Sequence, residues 1–136
     1  MEFKSQICTT KEQSERLLAL GLKKETADMM YITDKNVPDE YRLYRLVPGY
    51  YAQCPEYLTY IPAWSLHRLM ELMPEVIFDA LLCVFKDSIR YEALVFDRIE
   101  VLNDVVSDNI YDNAIATIEW LIKEGYFNKD YLEEKK

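Results

Sequence analysis

The period of the apolar positions changes along the chain, and each change marks an element. Between Thr10 and Gly21 the pattern is helical, with Leu17, Leu18 and Leu20 as its apolar side. Thr10 and Gln13 stand three apart, as a capping box requires, and Gly21 suits the left-handed residue that ends a helix. Leu22 is placed to fold back on that end. A short turn is expected from Glu25 through Ala27, Met29 and Met30. Residues 33–40 read as a polar loop. From Tyr41 to Val47 a period of two predicts a strand, with Tyr41, Leu43 and Arg45 on one face and Arg42, Tyr44 and Leu46 on the other. Pro48-Gly49 turns the chain. Tyr57 to Ile61 is a second strand, stopped by Pro62.

Ser65 is the expected N-cap of the next helix. Leu66, Leu69, Met70 and Met73 form its apolar stripe, and Pro74 ends it. Leu81–Phe85 and Ile89–Phe96 are rich in aromatic and β-branched residues, and Lys86-Asp87-Ser88 between them predicts a hairpin. A helix competes over 75–85, because Val76, Ile77, Ala80, Leu81 and Val84 also fit a helical stripe. Glu100, Asp104, Asp108 and Asp112 recur every four residues. On a helix they would form one self-repelling acidic stripe, and Val101, Val105 and Val106 lower helix propensity. A short strand or loop is therefore expected over 97–108.

The last helix starts at Asp108 as N-cap. Ile110, Ala114, Ile118, Leu121 and Ile122 share a face flanked by Trp120. Gly125 closes the helix, and Phe127 packs back over its end. Lys129–Lys136 is a charged tail expected to fray. Together these elements predict a single α+β domain over 1–136. A small, mainly antiparallel sheet packs against the N-terminal, central and C-terminal helices.

Composition narrows the class. The chain has 136 residues, half of them hydrophobic and 29% charged, which is enough for a core without disulfide or metal staples. The net charge of −8 disfavours direct contact with nucleic-acid phosphates or anionic lipid. That charge is uneven: residues 1–40 sum to −2, residues 41–74 to +1 and residues 75–136 to −7. The three cysteines, Cys8, Cys54 and Cys83, are odd in number and widely spaced. Reduced thiols in a cytoplasmic protein are the expectation. The N-terminus has no apolar signal segment, and no apolar run approaches the ~20 residues of a membrane span.

The chemical candidates are weak. Cys54 or Cys83 with His67 could make a nucleophile–base pair, but nothing in their spacing selects it. Cys83, inside an apolar run, reads as a core residue. No zinc-binding spacing occurs. Asp34, Asn36 and Asp39 lack the glycine and closing glutamate of a calcium loop. The glycines are too scattered for a phosphate loop. No cofactor, metal site or catalytic residue is assigned. The distinctive feature is aromatic. Tyr41, Tyr44, Tyr50, Tyr51, Tyr57 and Tyr60 fall within twenty residues, interleaved with Arg42 and Arg45 and followed by Trp64. Tyr and Arg dominate interface hot spots. Tyr41, Arg42, Tyr44, Arg45, Tyr50 and Tyr51 are accordingly the candidate protein contact. Packing of a small sheet is the other use of the same tyrosines.

Three segments carry a resemblance: "TTKEQSERLLALGLKKETADM" (9–29), "IPAWSLHRLMELMP" (61–74) and "YDNAIATIEWLIKEGYF" (111–127). They are similar to blocks of a family of small uncharacterised proteins of gut Bacteroidetes genomes, which travel with prophages and other mobile elements. The motif Pro62-Ala63-Trp64-Ser65-Leu66 is the most specific part. The resemblance implies an α+β domain in a bacterial cytoplasm and carries over no site residues. The favoured function is a non-enzymatic interaction or accessory protein that associates with another protein or with itself, without nucleic acid or membrane. The alternatives are an acidic DNA mimic, using the carboxylates of 97–112 in place of phosphates, and an enzyme of unknown class.

Overall fold

A computed structural model describes residues 5–49 and 55–134. It is an α+β fold in which every strand pairing is antiparallel. Among the described residues the strands form two sheets, one of three strands and one of four. The chain divides into two compact units, residues 1–68 and 69–136.

In the first unit, α1 (Lys11–Ala19) opens on the expected capping box. Thr10 Oγ1 accepts from the Gln13 N–H, and the Gln13 side chain accepts from the Thr10 N–H. Gly21 has φ 99°, and the Leu22 N–H returns to the Leu17 carbonyl. A 3₁₀ turn (Lys24–Thr26) follows. Beyond it the expected turn at Met29 and Met30 is instead a strand, β1 (Met29–Asp34), which also takes Thr33 and Asp34 from the supposed loop. β1 is the middle strand, with β2 (Arg45–Pro48) on one side and β3 (Leu58–Ala63) on the other. Its own β-formers, Tyr31, Ile32 and Thr33, suit an extended backbone. The strand expected at 41–47 is shorter, because Tyr41 ends a 3₁₀ turn (Asp39–Tyr41). β3 runs through Pro62, paired with Met30, rather than stopping before it. An edge strand tolerates a residue without an N–H.

Trp64 follows β3 and is fully buried. Its backbone N–H donates to Thr9 Oγ1 (3.0 Å), its carbonyl accepts from the Thr9 N–H (2.9 Å), and its indole N–H donates to Thr26 Oγ1 (2.9 Å). Ser65 caps α2 (Leu66–Leu72) as expected, its Oγ accepting from the Arg68 N–H. The Ser65 hydroxyl and N–H in turn donate to the two carboxylate oxygens of Asp28.

In the second unit, β4 (Val76–Ile77), β5 (Ala80–Val84), β6 (Ser88–Val95) and β7 (Arg98–Val106) lie in sequence order. The expected hairpin is present, and strand replaces the competing helix over 75–85. Residues 97–108, read as short strand or loop, form a nine-residue strand. α3 (Ile110–Glu124) packs on β6 and β7. Its N-cap is Asn109, not Asp108: the Asn109 carboxamide oxygen accepts from the N–H groups of Tyr111 and Asp112. Gly125 closes α3 at φ 80°, and the N–H groups of Tyr126 and Phe127 both donate to the Leu121 carbonyl. The tail expected to fray at 129 instead makes a 3₁₀ turn (Lys129–Tyr131), with Tyr131 edge-on to Phe127 at 5.9 Å.

The β6–β7 hairpin turns on two residues, Phe96 (φ 48°) and Asp97 (φ 64°). This is the primed geometry that favours Asn-Gly. A bulky L-residue in the left-handed region costs about 1–2 kcal/mol, and the Phe96 ring, 95% exposed, recovers none of it by packing. Phe96→Asn with Asp97→Gly is expected to stabilise the protein by about 1 kcal/mol. Urea unfolding measures this, and an unchanged or lowered midpoint would contradict it.

Candidate functional site

The strand register sorts the side chains of the four-stranded sheet onto two faces. Ile77, Ala80, Leu82, Val84, Ile89 and Tyr91 share one face. Ile89 and Tyr91 are fully buried there. The Tyr91 ring meets Trp120 of α3 at 6.0 Å and its hydroxyl donates to the Pro74 carbonyl (2.6 Å), so this is the face under the helix.

The opposite face carries Val76, Leu81, Cys83, Phe85, Arg90, Glu92, Leu94, Ile99, Val101, Asp104 and Val106, placed by their cross-strand pairs. Its apolar members are exposed: Leu94 by 74%, Ile99 by 66% and Val106 by 64%, with Val76, Leu81, Phe85 and Val101 near half. Three charged residues occupy its middle. Arg90 lies 3.6 Å from Glu92 and 3.9 Å from Asp104, and its guanidinium stacks 4.5 Å over the Phe85 ring. Arg90 Nε is buried without a hydrogen-bond acceptor. Monomers rarely expose contiguous apolar patches of more than a few hundred Å², and larger ones mark contact sites.

A β-bulge decides which residues reach that face. Tyr91 pairs with Asn103 but Glu92 pairs with Val101, which leaves Leu102 as the extra residue of β7. The bulge reverses the alternation beyond it, so that Val101 and Ile99 join Asp104 and Val106. It also separates Glu100 from Asp104. With Asp108 in the loop and Asp112 on α3, the four carboxylates make no single row of the kind a DNA mimic would need. β7 is an edge strand, and the bulge at Leu102 interrupts its ladder. Bulges are one way sheets protect their edges. The exposed face, more than the edge, is the candidate contact surface of this unit.

The tyrosine segment lies in the first unit. Tyr41 (71%) and Leu43 (84%) are strongly exposed, and Tyr44, Arg45 and Tyr57 are exposed as well. Tyr44 receives the Lys11 ammonium at 4.0 Å from its ring centroid. Arg42 is committed locally: it donates to the carbonyls of Val37 and Lys35 and pairs with Asp39, and so holds the loop that presents Tyr41. Tyr60 is half-buried beside Lys24. Tyr50 and Tyr51 lie outside the described residues, as does Cys54.

The chemical suspects are dispersed. Cys8 is buried, with its thiol 3.4 Å from the Tyr31 hydroxyl, and burial pushes its pKa up. Cys83, expected in the core, is only half-buried on the exposed sheet face, where desolvation and the neighbouring Glu92 carboxylate raise its pKa. Both shifts favour the unreactive thiol. His67 is on the exposed side of α2. A hollow in the first unit is lined by Leu18, Lys24, Leu58, Thr59, Tyr60 and Pro62, and one in the second by residues from Glu71 to Tyr131. Neither lining joins a nucleophile to a base. Among the described residues no three His, Cys, Asp or Glu side chains cluster as metal ligands, and no helix is long and apolar enough to cross a membrane.

No family model, curated protein or solved structure matches the chain. The surfaces themselves are the guide to function.

Proposed function

We propose that this protein is a non-enzymatic interaction module that binds protein through the exposed face of its four-stranded sheet. The observation that carries the reading is the register: it gathers Leu81, Leu94, Ile99, Val101 and Val106 on the one face α3 leaves bare. An apolar face of this kind is stabilised by covering it. The strained Phe96 turn stands beside Leu94 and Ile99, and strain of this kind collects at functional sites. The exposed Tyr41–Arg45 segment offers a second contact of the hot-spot composition. The likeness of 9–29, 61–74 and 111–127 to mobile-element proteins supplies the setting, a cytoplasmic accessory protein of a prophage or related element.

Site-specific photo-crosslinking tests the reading in native cells. A benzoylphenylalanine at position 94 should give a discrete adduct, and the same group at position 129, exposed on the far turn, should not. Equal yields at the two positions, or none at 94, would refute it.

A further inference from the structure

We propose that the exposed sheet face is a homodimer interface, in which two copies of the chain stack these faces about a two-fold axis. The inference rests on the contact reading above and names its occupant.

The first argument is area. The exposed fractions of Val76, Leu81, Phe85, Leu94, Ile99, Val101 and Val106, with the polar residues among them, set an upper bound of the order of a standard interface's share per partner. A standard interface takes ~800 Å² from each partner.

The second is pattern. Ala80–Phe85 is an unbroken apolar run, the pattern of a strand covered on both faces, and α3 covers only one.

The third is self-complementarity. The face is built in rows across the strands: Leu94–Ile99, then Val76–Leu81–Glu92–Val101, then Cys83–Arg90–Asp104, then Phe85–Ser88–Val106. A two-fold axis lying across the strands, between the Glu92 and Arg90 rows, exchanges the second row with the third and the first with the fourth. Glu92 then faces Arg90 of the other copy and Ile99 faces Val106, while Leu94 lies over Ser88 and Val101 over Asp104. An isologous contact requires this self-matching, and sheets stack with their strands nearly aligned.

Charge sets the conditions. Residues 69–136 hold seven basic and fifteen acidic residues, and residues 1–68 hold nine of each, so the second unit carries the whole net charge of −8. The face itself carries only Arg90 against Glu92 and Asp104, a net of −1. A second copy therefore meets little net charge on this face. The acidic surroundings still repel across the dimer, so added salt should tighten it by screening. A basic partner would instead bind more weakly in salt.

Analytical ultracentrifugation of the full chain at ~1 µM to 1 mM tests the proposal. The expected species has twice the 16.2 kDa chain mass and grows in proportion with salt. Ile99→Lys, at a site already two-thirds exposed, should weaken dimerisation by about a hundredfold with an unchanged circular dichroism spectrum. In an Asp104→Asn background, which removes the like charge opposite position 90, Arg90→Glu should weaken it by about tenfold or more, and Arg90→Glu with Glu92→Arg should restore it, since the exchanged pair still matches. A monomer at every concentration and salt overturns the proposal. So does a dimer indifferent to Ile99→Lys, or one lost with Arg90→Glu and not recovered in the exchanged variant. The crosslink at position 94 keeps the two readings apart. An adduct of some other mass from a monomeric protein overturns the second copy and leaves the contact surface standing.

Discussion

Trp64→Ala should destabilise the first unit by about 3–5 kcal/mol, the range for deleting a buried aromatic side chain. The indole is fully buried, so its removal leaves a cavity as well as losing apolar burial. It also removes one hydrogen bond. The indole N–H donates to Thr26 Oγ1, whose hydroxyl donates onward to the Lys23 carbonyl (2.6 Å), so the side chain ties the end of β3 to the turn before β1. The Trp64 backbone bonds to Thr9 survive the substitution. The loss is therefore one of packing and of the Thr26 bond, not of the strand's exit path. Trp64→Phe should recover most of the loss and leave about 1 kcal/mol for the missing donor. Urea unfolding followed by circular dichroism measures both variants. A cost below about 1 kcal/mol for the alanine variant would show that the site collapses around the cavity and that Trp64 is not the anchor described.

Tyr91→Ala should cost the second unit a similar ~3–5 kcal/mol. The ring is buried between β6 and α3, against Trp120, and Trp120 in turn meets Tyr126 at 5.7 Å. The hydroxyl satisfies the Pro74 carbonyl just beyond α2. Tyr91→Phe keeps the ring and removes only that bond, at about 1–2 kcal/mol. The phenol adds a pH signature. Burial pushes its pKa well above the ordinary value, so the folded state keeps a proton that the unfolded chain releases near pH 10. Because the folded state binds more protons there, stability falls as pH rises. The contribution is whole below about pH 10 and is lost progressively above it. Wild type should therefore weaken more steeply than Tyr91→Phe between about pH 9.5 and 11. Parallel slopes would show that the phenol ionises in place.

The sequence alone was enough for most features whose determinant is local, the cap at Asn109 rather than Asp108 being an exception. The Thr10–Gln13 capping box, the Ser65 cap, the Gly125 closure and the 81–96 hairpin each depend on a few neighbouring residues. Each formed because no distant contact overrides them. Composition singled out the tyrosine segment, but whether Tyr41 and Tyr44 pack or face solvent was left to the fold. What depends on pairing between distant segments was decided only in three dimensions. β1 is a strand because β2 and β3 flank it on both sides. Pro62 sits within a strand because that strand is an edge. The carboxylates that repeat every four residues do not form a row, because one bulge at Leu102 reverses the alternation. The exposed sheet face was hidden for the same reason. Alternation is lost in Ala80–Phe85, where both faces are apolar, and no residue there records which face α3 will cover. A helix shields one face through its own stripe, and the register of strands joined elsewhere in the chain then determines what the other face displays.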